Sequence, residues 1–320
     1  MEIFNSTLNQ MLVLFTFIAV GFILRKSKLL PEDSASVLSK LESYFIVPAL
    51  ILENFTKNCR VETLSANANI LIYSLGLLAF ALVIAIPLSK LFAKEKPGSG
   101  LDPAYQACIY AYALSFGNFG FMGNALVLGV FGEAGLFKYL LFTMPLNTAV
   151  YTWGVYSLIP RGKSTKSPLW NLLNPIMVSL VLGIVLGLLN VRDYMPKFIT
   201  TTLSNAQSCM GPIAMILTGF VIGGYNFKEL LCKKRVYTAT FLRLIVIPSV
   251  MMLILDALGA SKEVMTLALF AYAAPLGLNT VVIPAAYDGD TKTGASMAMI
   301  SHTLAVITLP IMYLVFITIL

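Results

Sequence analysis

The sequence reads Ala113-Leu-Ser-Phe-Gly-Asn-Phe-Gly-Phe-Met-Gly-Asn124 in one apolar segment and Ala273-Ala-Pro-Leu-Gly-Leu-Asn-Thr-Val-Val-Ile-Pro284 in another. Glycine and asparagine interrupt the first stretch, and Pro275 and Gly277 interrupt the second. Because proline removes a helical hydrogen bond and glycine lowers the cost of unwinding, we expect a broken helix in each stretch. Freed backbone groups cannot face lipid, so breaks inside a membrane must be buried in protein or line a watery cavity.

The composition indicates that lipid is the solvent of this chain. Of its 320 residues, 58% are hydrophobic and only 12% are charged, and the mean hydropathy is +0.83. A soluble domain carries roughly a quarter charged residues. Uncharged runs such as Met11–Leu24, Ile70–Leu88 and Thr303–Leu320 come close to the roughly 20 residues that a membrane crossing needs. Soluble globular classes are therefore excluded, and the lipid bilayer is the expected surrounding partner.

The basic charge of the chain has a topological explanation. The net charge is +7, but the basic residues are scattered over many loops and form no single patch, so we expect no nucleic-acid partner. The four cysteines are far apart and have no paired spacing, which favours neither a metal site nor a disulfide framework. We predict no metal and no cofactor.

Charge, proline and glycine clusters divide the chain into ten predicted spans. Their ranges are 8–25, 34–53, 67–92, 103–131, 134–158, 171–189, 196–224, 235–258, 263–287 and 293–319. The connecting loops then alternate between two sides of the membrane. Fourteen basic residues fall on one side, namely Arg25, Lys26, Lys28, Lys90, Lys94, Lys96, Arg161, Lys163, Lys166, Lys228, Lys233, Lys234, Arg235 and Lys292. Six fall on the other, namely Lys57, Arg60, Lys138, Arg192, Lys197 and Lys262.

This asymmetry predicts the orientation. Lys and Arg gather in cytoplasmic loops, so the richer side is the cytoplasmic one. We therefore expect a multi-pass protein of the plasma (cell inner) membrane with both termini outside the cytoplasm.

An internal repeat connects the two halves of the chain. Leu8-Asn9 recurs as Leu173-Asn174, Pro31 as Pro196, and Leu38-Ser39 as Leu203-Ser204, all at a spacing of 165 residues. A repeat of five spans enters the membrane from opposite sides in its two copies, because five is an odd number. We therefore predict two inverted repeats, residues 1–160 (spans 1–5) and 161–320 (spans 6–10), an architecture that belongs overwhelmingly to secondary transporters.

The broken spans are the candidate site. Each second half-helix presents an N-terminus with unpaired amides and a partial positive charge near the membrane centre, which suits an anion. The alternative is that the glycines only permit close packing and the asparagines only bond across helices. Occurrence in two spans related by the repeat favours a binding role. The candidate substrate-binding residues are Asn118, Gly120, Asn124, Pro275, Asn279 and Thr280.

Other ionisable residues lie inside predicted spans. Arg243 lies eight residues beyond Arg235, so it either attracts substrate or, the interpretation we favour, forms a structural ion pair or snorkels to the cytoplasmic face. His302, the only histidine, either carries a coupling proton or is a hydrogen-bonded packing residue. Glu42 and Lys40 are predicted to form an interfacial pair. No Asp or Glu occurs in 105–131 or 265–286, which weakens the case for sodium coupling.

Several motifs resemble one transporter family. They are Gly21-Phe-Ile-Leu-Arg-Lys with Leu29-Leu-Pro, Ser39-Lys-Leu with Val47-Pro-Ala-Leu, Asn118-Phe-Gly-Phe-Met-Gly-Asn with Phe131-Gly-Glu-Ala-Gly, and Tyr287-Asp-Gly-Asp. Together they resemble the auxin efflux carrier family, which includes bacterial malate and malonate permeases and the plant PIN-FORMED carriers. The sequence departs from the family in having Asn124 where many relatives have proline, and it lacks the long cytoplasmic loop of the longer plant carriers.

The resemblance implies a fold and a site. The fold is an all-α membrane protein like the bile-acid symporters, with a scaffold domain (spans 1, 2, 6 and 7) and a transport domain (spans 3–5 and 8–10). In that fold the broken spans 4 and 9 cross, and the substrate binds at the crossover. The resemblance does not imply specific transport of auxin.

The resulting functional prediction is a secondary transporter that moves a small organic anion, auxin-like or malate-like and malonate-like, by alternating access. The alternative is a membrane sensor or channel built on a carrier fold. An enzyme is not expected, because Asp288 and Asp290 share one loop with no second membrane aspartate, and no Gly-x-Ser-x-Gly elbow accompanies His302. The sequence leaves the oligomeric state open, a homodimer included.

Overall fold

The computed structural model describes residues 2–93, 102–160, 162 and 168–319, and these residues form helices with no β-strand among them. Five of the basic loop residues, Lys94, Lys96, Arg161, Lys163 and Lys166, lie outside the described residues. The α-helices are, in chain order, α1 (Glu2–Lys26), α2 (Ser34–Leu41), α3 (Val47–Asn58), α4 (Val61–Ala66), α5 (Ala68–Phe92), α6 (Pro103–Ser115), α7 (Asn124–Ala149), α8 (Val155–Leu158), α9 (Pro175–Leu188), α10 (Lys197–Gly223), α11 (Phe227–Leu231), α12 (Lys234–Phe241), α13 (Ile247–Ala257), α14 (Lys262–Tyr272), α15 (Asn279–Ala286) and α16 (Thr291–Tyr313).

Short segments of other helix types join several of these. Five are π-helical, namely Glu42–Ile46, Phe119–Gly123, Val150–Gly154, Leu242–Val246 and Leu314–Ile319, and two are 3₁₀ turns, namely Pro168–Leu173 and Val191–Tyr194.

Seven helical stretches of the described chain are long and apolar enough to cross a membrane. They are Ile3–Lys26, Ser34–Asn58, Ala68–Phe92, Phe119–Leu158, Lys197–Gly223, Lys234–Ala257 and Thr291–Ile319. Pro175–Leu188 is apolar but shorter. The prediction of an all-α multi-pass membrane protein is confirmed. The 40-residue stretch Phe119–Leu158 is not one straight rod, because Gly132 has φ 66° and ψ −165° and divides it.

Prolines account for two of the five π-helical segments. Pro48 and Pro248 each stand just after one, and the amide of Val47 bonds to the carbonyl of Glu42, five residues back. Because proline has no N–H to donate, a wider turn before it keeps the preceding amides bonded. Each such turn adds a residue to the helical register and rotates the side chains around it.

Close backbone contact binds one group of helices together. A Cβ atom added at Gly219 of α10 would lie 1.8 Å from the carbonyl oxygen of Ile18 in α1, and one added at Gly187 of α9 would lie 2.4 Å from that of Phe55 in α3. Only glycine permits this approach. Helices α1, α3, α9 and α10 therefore form a tightly packed unit, whereas α5, α6, α7, α12, α14, α15 and α16 pack mainly among themselves.

The interpretation of Glu42 and Lys40 as an interfacial pair is wrong. Glu42 is fully buried and neither carboxyl oxygen has a hydrogen-bond partner, whereas Lys40 is exposed. The π-helical turn that begins at Glu42 turns this side chain inward, and counting at the ordinary helical period cannot foresee that rotation.

Candidate functional site

The two predicted breaks exist and lie against each other. The chain is extended between α6 and the π-helical turn Phe119–Gly123, and it is irregular between α14 and α15. Gly117 pairs with Leu276 in an antiparallel bridge, and the amide of Asn118 donates to the carbonyl of Pro275 at 2.6 Å. The breaks thus satisfy part of each other's backbone, which removes groups that lipid could not satisfy. We call this contact the crossover.

Arg243 packs directly behind the crossover. A Cβ atom added at Gly117 would lie 2.6 Å from Arg243 Nη2 and 2.8 Å from the carbonyl oxygen of Ala274. The guanidinium donates to the carbonyl of Ala271 at 3.2 Å and lies 5.4 Å from the ring centre of Tyr272. Its Nε and Nη1 atoms have no hydrogen-bond partner among the described residues. Gly117 is therefore required where it stands, because any side chain there would displace the guanidinium.

The favoured interpretation of Arg243 is wrong. The side chain is fully buried, so it does not snorkel, and no described carboxylate lies within salt-bridge distance of it. An unpaired buried cation is costly, and a protein keeps one where its charge has a use. Attraction of a substrate stays a prediction, and a structural role through the Ala271 carbonyl and the Tyr272 ring is also compatible with the geometry.

A small cavity of about 50 Å³ opens on the other side of the crossover. One wall is polar and carries amides and phenols from both broken spans and from α7 and the turn after it; these residues are Tyr112, Asn118, Asn124, Asn147, Tyr151 and Asn279. The lining residues that come from α3 and α9 are all apolar; they are Val47, Ile51 and Ile176. The cavity is thus formed between the tightly packed unit and the rest of the helices.

The asparagines of the polar wall are individually anchored. Asn279 Nδ2 donates to the Tyr112 hydroxyl at 2.7 Å, and Asn124 Nδ2 donates to the carbonyl of Gly120 at 2.7 Å. The buried Oδ1 of Asn124 has no partner. Asn118 Nδ2 lies 3.1 Å from Nε2 of His302. These bonds orient the amides of Asn118, Asn124 and Asn279 through their NH₂ groups.

Two helix N-termini meet this cavity. The π-helical turn that leads into α7 begins at Phe119, and α15 begins at Asn279; both residues line the cavity. First-turn amides have no acceptor inside their own helix, and they carry the positive end of the helix dipole. In α15 the amides of Thr280 and Val281 already donate to the carbonyls of Gly277 and Leu278, so this helix contributes its dipole rather than these N–H groups.

The candidate residues divide into two groups. Asn118, Gly120, Asn124 and Asn279 line the cavity, whereas Pro275 and Thr280 do not. The Pro275 carbonyl accepts the amide of Asn118, and the Thr280 hydroxyl donates to the carbonyl of Gly277 at 2.9 Å. These last two hold the break in shape.

Sequence reasoning missed three cavity residues. Asn147 and Tyr151 lie four positions apart, on one face of the fifth span, and Tyr112 lies six positions before Asn118. A pair of polar residues at this spacing in an apolar span was the available signal.

Comparison with known proteins now identifies the family. The family model described as "Membrane transport protein" matches residues 6–313. The chain belongs to this family. The match confirms the resemblance to the auxin efflux carriers that the motifs indicated. Membrane transport proteins are transporters and not enzymes by family.

Individual relatives in the membrane transport protein family are distant but match over their full length. An uncharacterized transporter of Methanocaldococcus jannaschii is 24% identical over 305 residues, 94% of this chain and 96% of that protein. The uncharacterized transporter YfdV of Escherichia coli K12 is 20% identical over 95% of this chain and 96% of its own. An uncharacterized transporter of Methanothermobacter thermautotrophicus is 23% identical over 97% and 98%.

Proposed function

We propose that this membrane transport protein is a secondary transporter that carries a small organic anion through the crossover by alternating access. The observation that carries the proposal is the cavity itself. Neutral amides, hydroxyls and two helix N-termini surround it, and an unpaired guanidinium stands behind it. No carboxylate of the described chain lines it. The helix dipoles and the charge of Arg243 stabilise negative charge there, whereas the NH₂ groups of Asn118, Asn124 and Asn279 already bond within the protein.

The charge of Arg243 favours an anion strongly. Gly117 lines the cavity and Arg243 Nη2 packs on its other side, so little more than one backbone thickness separates the charge from a ligand. At an effective dielectric constant of about 20, one positive charge attracts a negative charge at roughly 6 Å by about 3 kcal/mol. This attraction corresponds to roughly a hundredfold gain in affinity for the anion.

The apolar wall favours an organic body on this anion. Val47, Ile51 and Ile176 line the same cavity as the amides. A carboxylate with a short hydrocarbon part would use both walls, as malonate, malate or an auxin-like acid does. The cavity volume of about 50 Å³ is far below the roughly 300 Å³ of an open ligand pocket, so this is a closed state that must widen to load.

Two grooves supply the routes for alternating access. One of about 630 Å³ separates α1, α2 and α10 from α15, and one of about 200 Å³ separates α1 and α10 from the first half of α7. Both follow the boundary between the tightly packed unit and the remaining helices. Sliding of one body along the other would widen one groove and close the other. We accordingly assign α1–α3, α9 and α10 to a scaffold domain and the other spans to a transport domain.

Ion pairs support ten crossings in two inverted repeats. Lys57–Glu133, Lys138–Glu263 and Arg192–Glu53 join span ends that alternation assigns to the outer side, and Arg25–Glu32 and Lys292–Glu229 join ends assigned to the cytoplasmic side. Among the described residues, no ion pair joins ends assigned to opposite sides. One crossing more or fewer between two paired residues would put them on opposite sides and break this pattern.

Cysteine labelling tests the topology. In a background without the native cysteines, we expect Leu29→Cys and Lys228→Cys to react with an impermeant maleimide only from the cytoplasm, and Ser65→Cys and Tyr194→Cys only from outside. All four positions are exposed in the structure. Labelling of Leu29→Cys and Ser65→Cys from one and the same side would refute the ten-span inverted arrangement.

Gly120 provides a steric test of the site. A Cβ atom added at Gly120 meets nothing within 4 Å, so Gly120→Val should fold and extend into the cavity. Filling a tight cavity costs about 1–3 kcal/mol, so malonate or indole-3-acetate should bind roughly tenfold to a hundredfold more weakly by calorimetry. Gly76→Val in α5 is the matched control, because that glycine also has free space around it but lies on an exposed helix face away from the cavity. Equal affinity in both variants would locate the ligand elsewhere.

A further inference from the structure

The single histidine of the chain, His302, contacts Asn118 of the crossover. His302 is buried in α16, its Nδ1 lies 2.7 Å from the carbonyl oxygen of Ala298, and its Nε2 lies 3.1 Å from Asn118 Nδ2. Asn118 in turn lines the cavity. One imidazole therefore reaches the ligand site through a single side-chain amide.

The two contacts fix the protonation state of the ring. A carbonyl oxygen only accepts, so Nδ1 carries a hydrogen and donates to Ala298. In the neutral ring, Nε2 is then an acceptor, and Asn118 must turn its NH₂ group toward His302. The described residues make no hydrogen bond to Asn118 Oδ1, and Asn118 lines the cavity. In this state the amide offers the cavity an acceptor, which repels an anion.

We propose that His302 binds a coupling proton, and that protonation of Nε2 turns the Asn118 amide over so that its NH₂ group donates to the anion. Protonated Nε2 becomes a donor, and only Oδ1 of Asn118 can accept from it. A half-turn of the amide exchanges the two atoms and points the NH₂ group into the cavity. The inference rests on the proposed function and makes it a proton-coupled one.

The proton balance is simple. One proton from the side to which the cavity is open is bound at Nε2, no other covalent bond changes, and the same proton leaves when the anion leaves. One proton therefore moves with each anion. A dicarboxylate such as malonate would move with one net negative charge, and a monocarboxylate with none.

The charges around His302 make binding of the proton depend on binding of the anion. Two elements packed against α16 carry buried titratable groups. The π-helical segment Leu242–Val246 carries the cation Arg243, and α14 carries the phenol Tyr272. The other charged groups on these elements lie in first or last turns or in the short α11; they are Arg25, Lys26, Lys197, Lys228, Glu229, Lys234, Arg235, Lys262 and Glu263. Two further titratable groups, Cys209 and Tyr237, are exposed.

No described carboxylate thus neutralises a protonated His302, and Arg243 opposes it. An anion in the cavity supplies the missing negative charge. Proton and anion therefore bind together, and neither binds well alone.

Because the chain has one histidine, ¹⁵N-histidine labelling gives an NMR spectrum of His302 alone. In the ligand-free protein at neutral pH, we expect a neutral ring with the hydrogen on Nδ1. Saturating malonate or indole-3-acetate should convert it to the doubly protonated ring. Calorimetry in two buffers of different ionisation enthalpy should give about one proton taken up per anion. Affinity should rise about tenfold per unit fall in pH wherever the ring is neutral when empty and charged when loaded.

Variants of His302 and of its neighbour Thr303 test the proton site separately from the anion site. His302→Gln should still bind, more weakly, with no proton uptake and no pH dependence, whereas Thr303→Val on the exposed face of the same helix should behave as wild type. Binding without proton uptake, or a ligand-free ring with its hydrogen on Nε2, overturns the proton site and leaves the proposed function standing. Failure of both acids to bind wild-type protein overturns the proposed function, and the proton site with it.

Discussion

Arg243→Met should raise the thermal stability of the protein and at the same time lower its affinity for a carboxylate about a hundredfold. The guanidinium is fully buried without a counter-ion, and two of its nitrogen atoms have no partner. Replacing buried charge by an apolar side chain of similar length stabilises folds by about 1–4 kcal/mol, which corresponds to a rise of at least a few degrees in melting temperature. The loss of affinity follows from removing an attraction of about 3 kcal/mol across the crossover.

The opposite signs of the two effects make this prediction specific. Arg235→Met is a matched control, because it removes the same charge from the start of α12, where the side chain donates to the carbonyl of Phe92. We expect its affinity to stay within a few fold of wild type. Melting temperature is measured by scanning fluorimetry and affinity by calorimetry with malonate. A destabilised Arg243→Met protein with unchanged affinity would make Arg243 a structural strut of the crossover.

Asn118→Ala and Asn279→Ala should each weaken binding roughly tenfold to a hundredfold. Losing a hydrogen bond to a charged ligand costs about 1.5–3 kcal/mol. Both residues line the cavity from matching broken spans, and each is anchored by one bond, to His302 and to the Tyr112 hydroxyl respectively. Folding should survive, because neither amide is the sole partner of a backbone group across the break.

The control for these variants needs an asparagine with a similar role in the fold but outside the cavity. Asn58 bonds the carbonyl of Asn54 in its own helix and does not line the cavity, so Asn58→Ala should leave affinity unchanged. Asn174 is unsuitable, since its side chain caps α9 and accepts from the amide of Ile176, a cavity residue. If both crossover variants bind like Asn58→Ala, these asparagines only pack the break.

Helix positions and both breaks could be predicted from sequence because each depends on local chemistry. Apolar length fixes a span, and the glycines and prolines around Asn118 and Asn279 fix where it unwinds. Most observed span ends lie within a few residues of the predictions; α1 begins at Glu2 rather than near residue 8, and α3 ends at Asn58 rather than near residue 53. The family resemblance implied that the two broken spans cross, but it did not give the pairing of Gly117 with Leu276.

The direction of buried polar side chains could not be predicted. Arg243 and Glu42 both lie in π-helical turns, Leu242–Val246 and Glu42–Ile46. One extra residue in a turn rotates the side chains by about 100°, so counting residues from the membrane edge could not give the direction of these two side chains. Tyr112 and Asn147 were missed for a different reason, since only tertiary packing brings them to the same cavity.

Counterflow in proteoliposomes tests the central claim most directly. Vesicles loaded with unlabelled malonate, malate or indole-3-acetate are diluted into a trace of the labelled acid. For at least one of the three, wild-type protein should accumulate label transiently above equilibrium, and Gly120→Val should abolish that overshoot while Gly76→Val retains it. Equilibration without overshoot would indicate a channel, and binding without any flux would indicate a sensor; either result would contradict a carrier that works through the crossover.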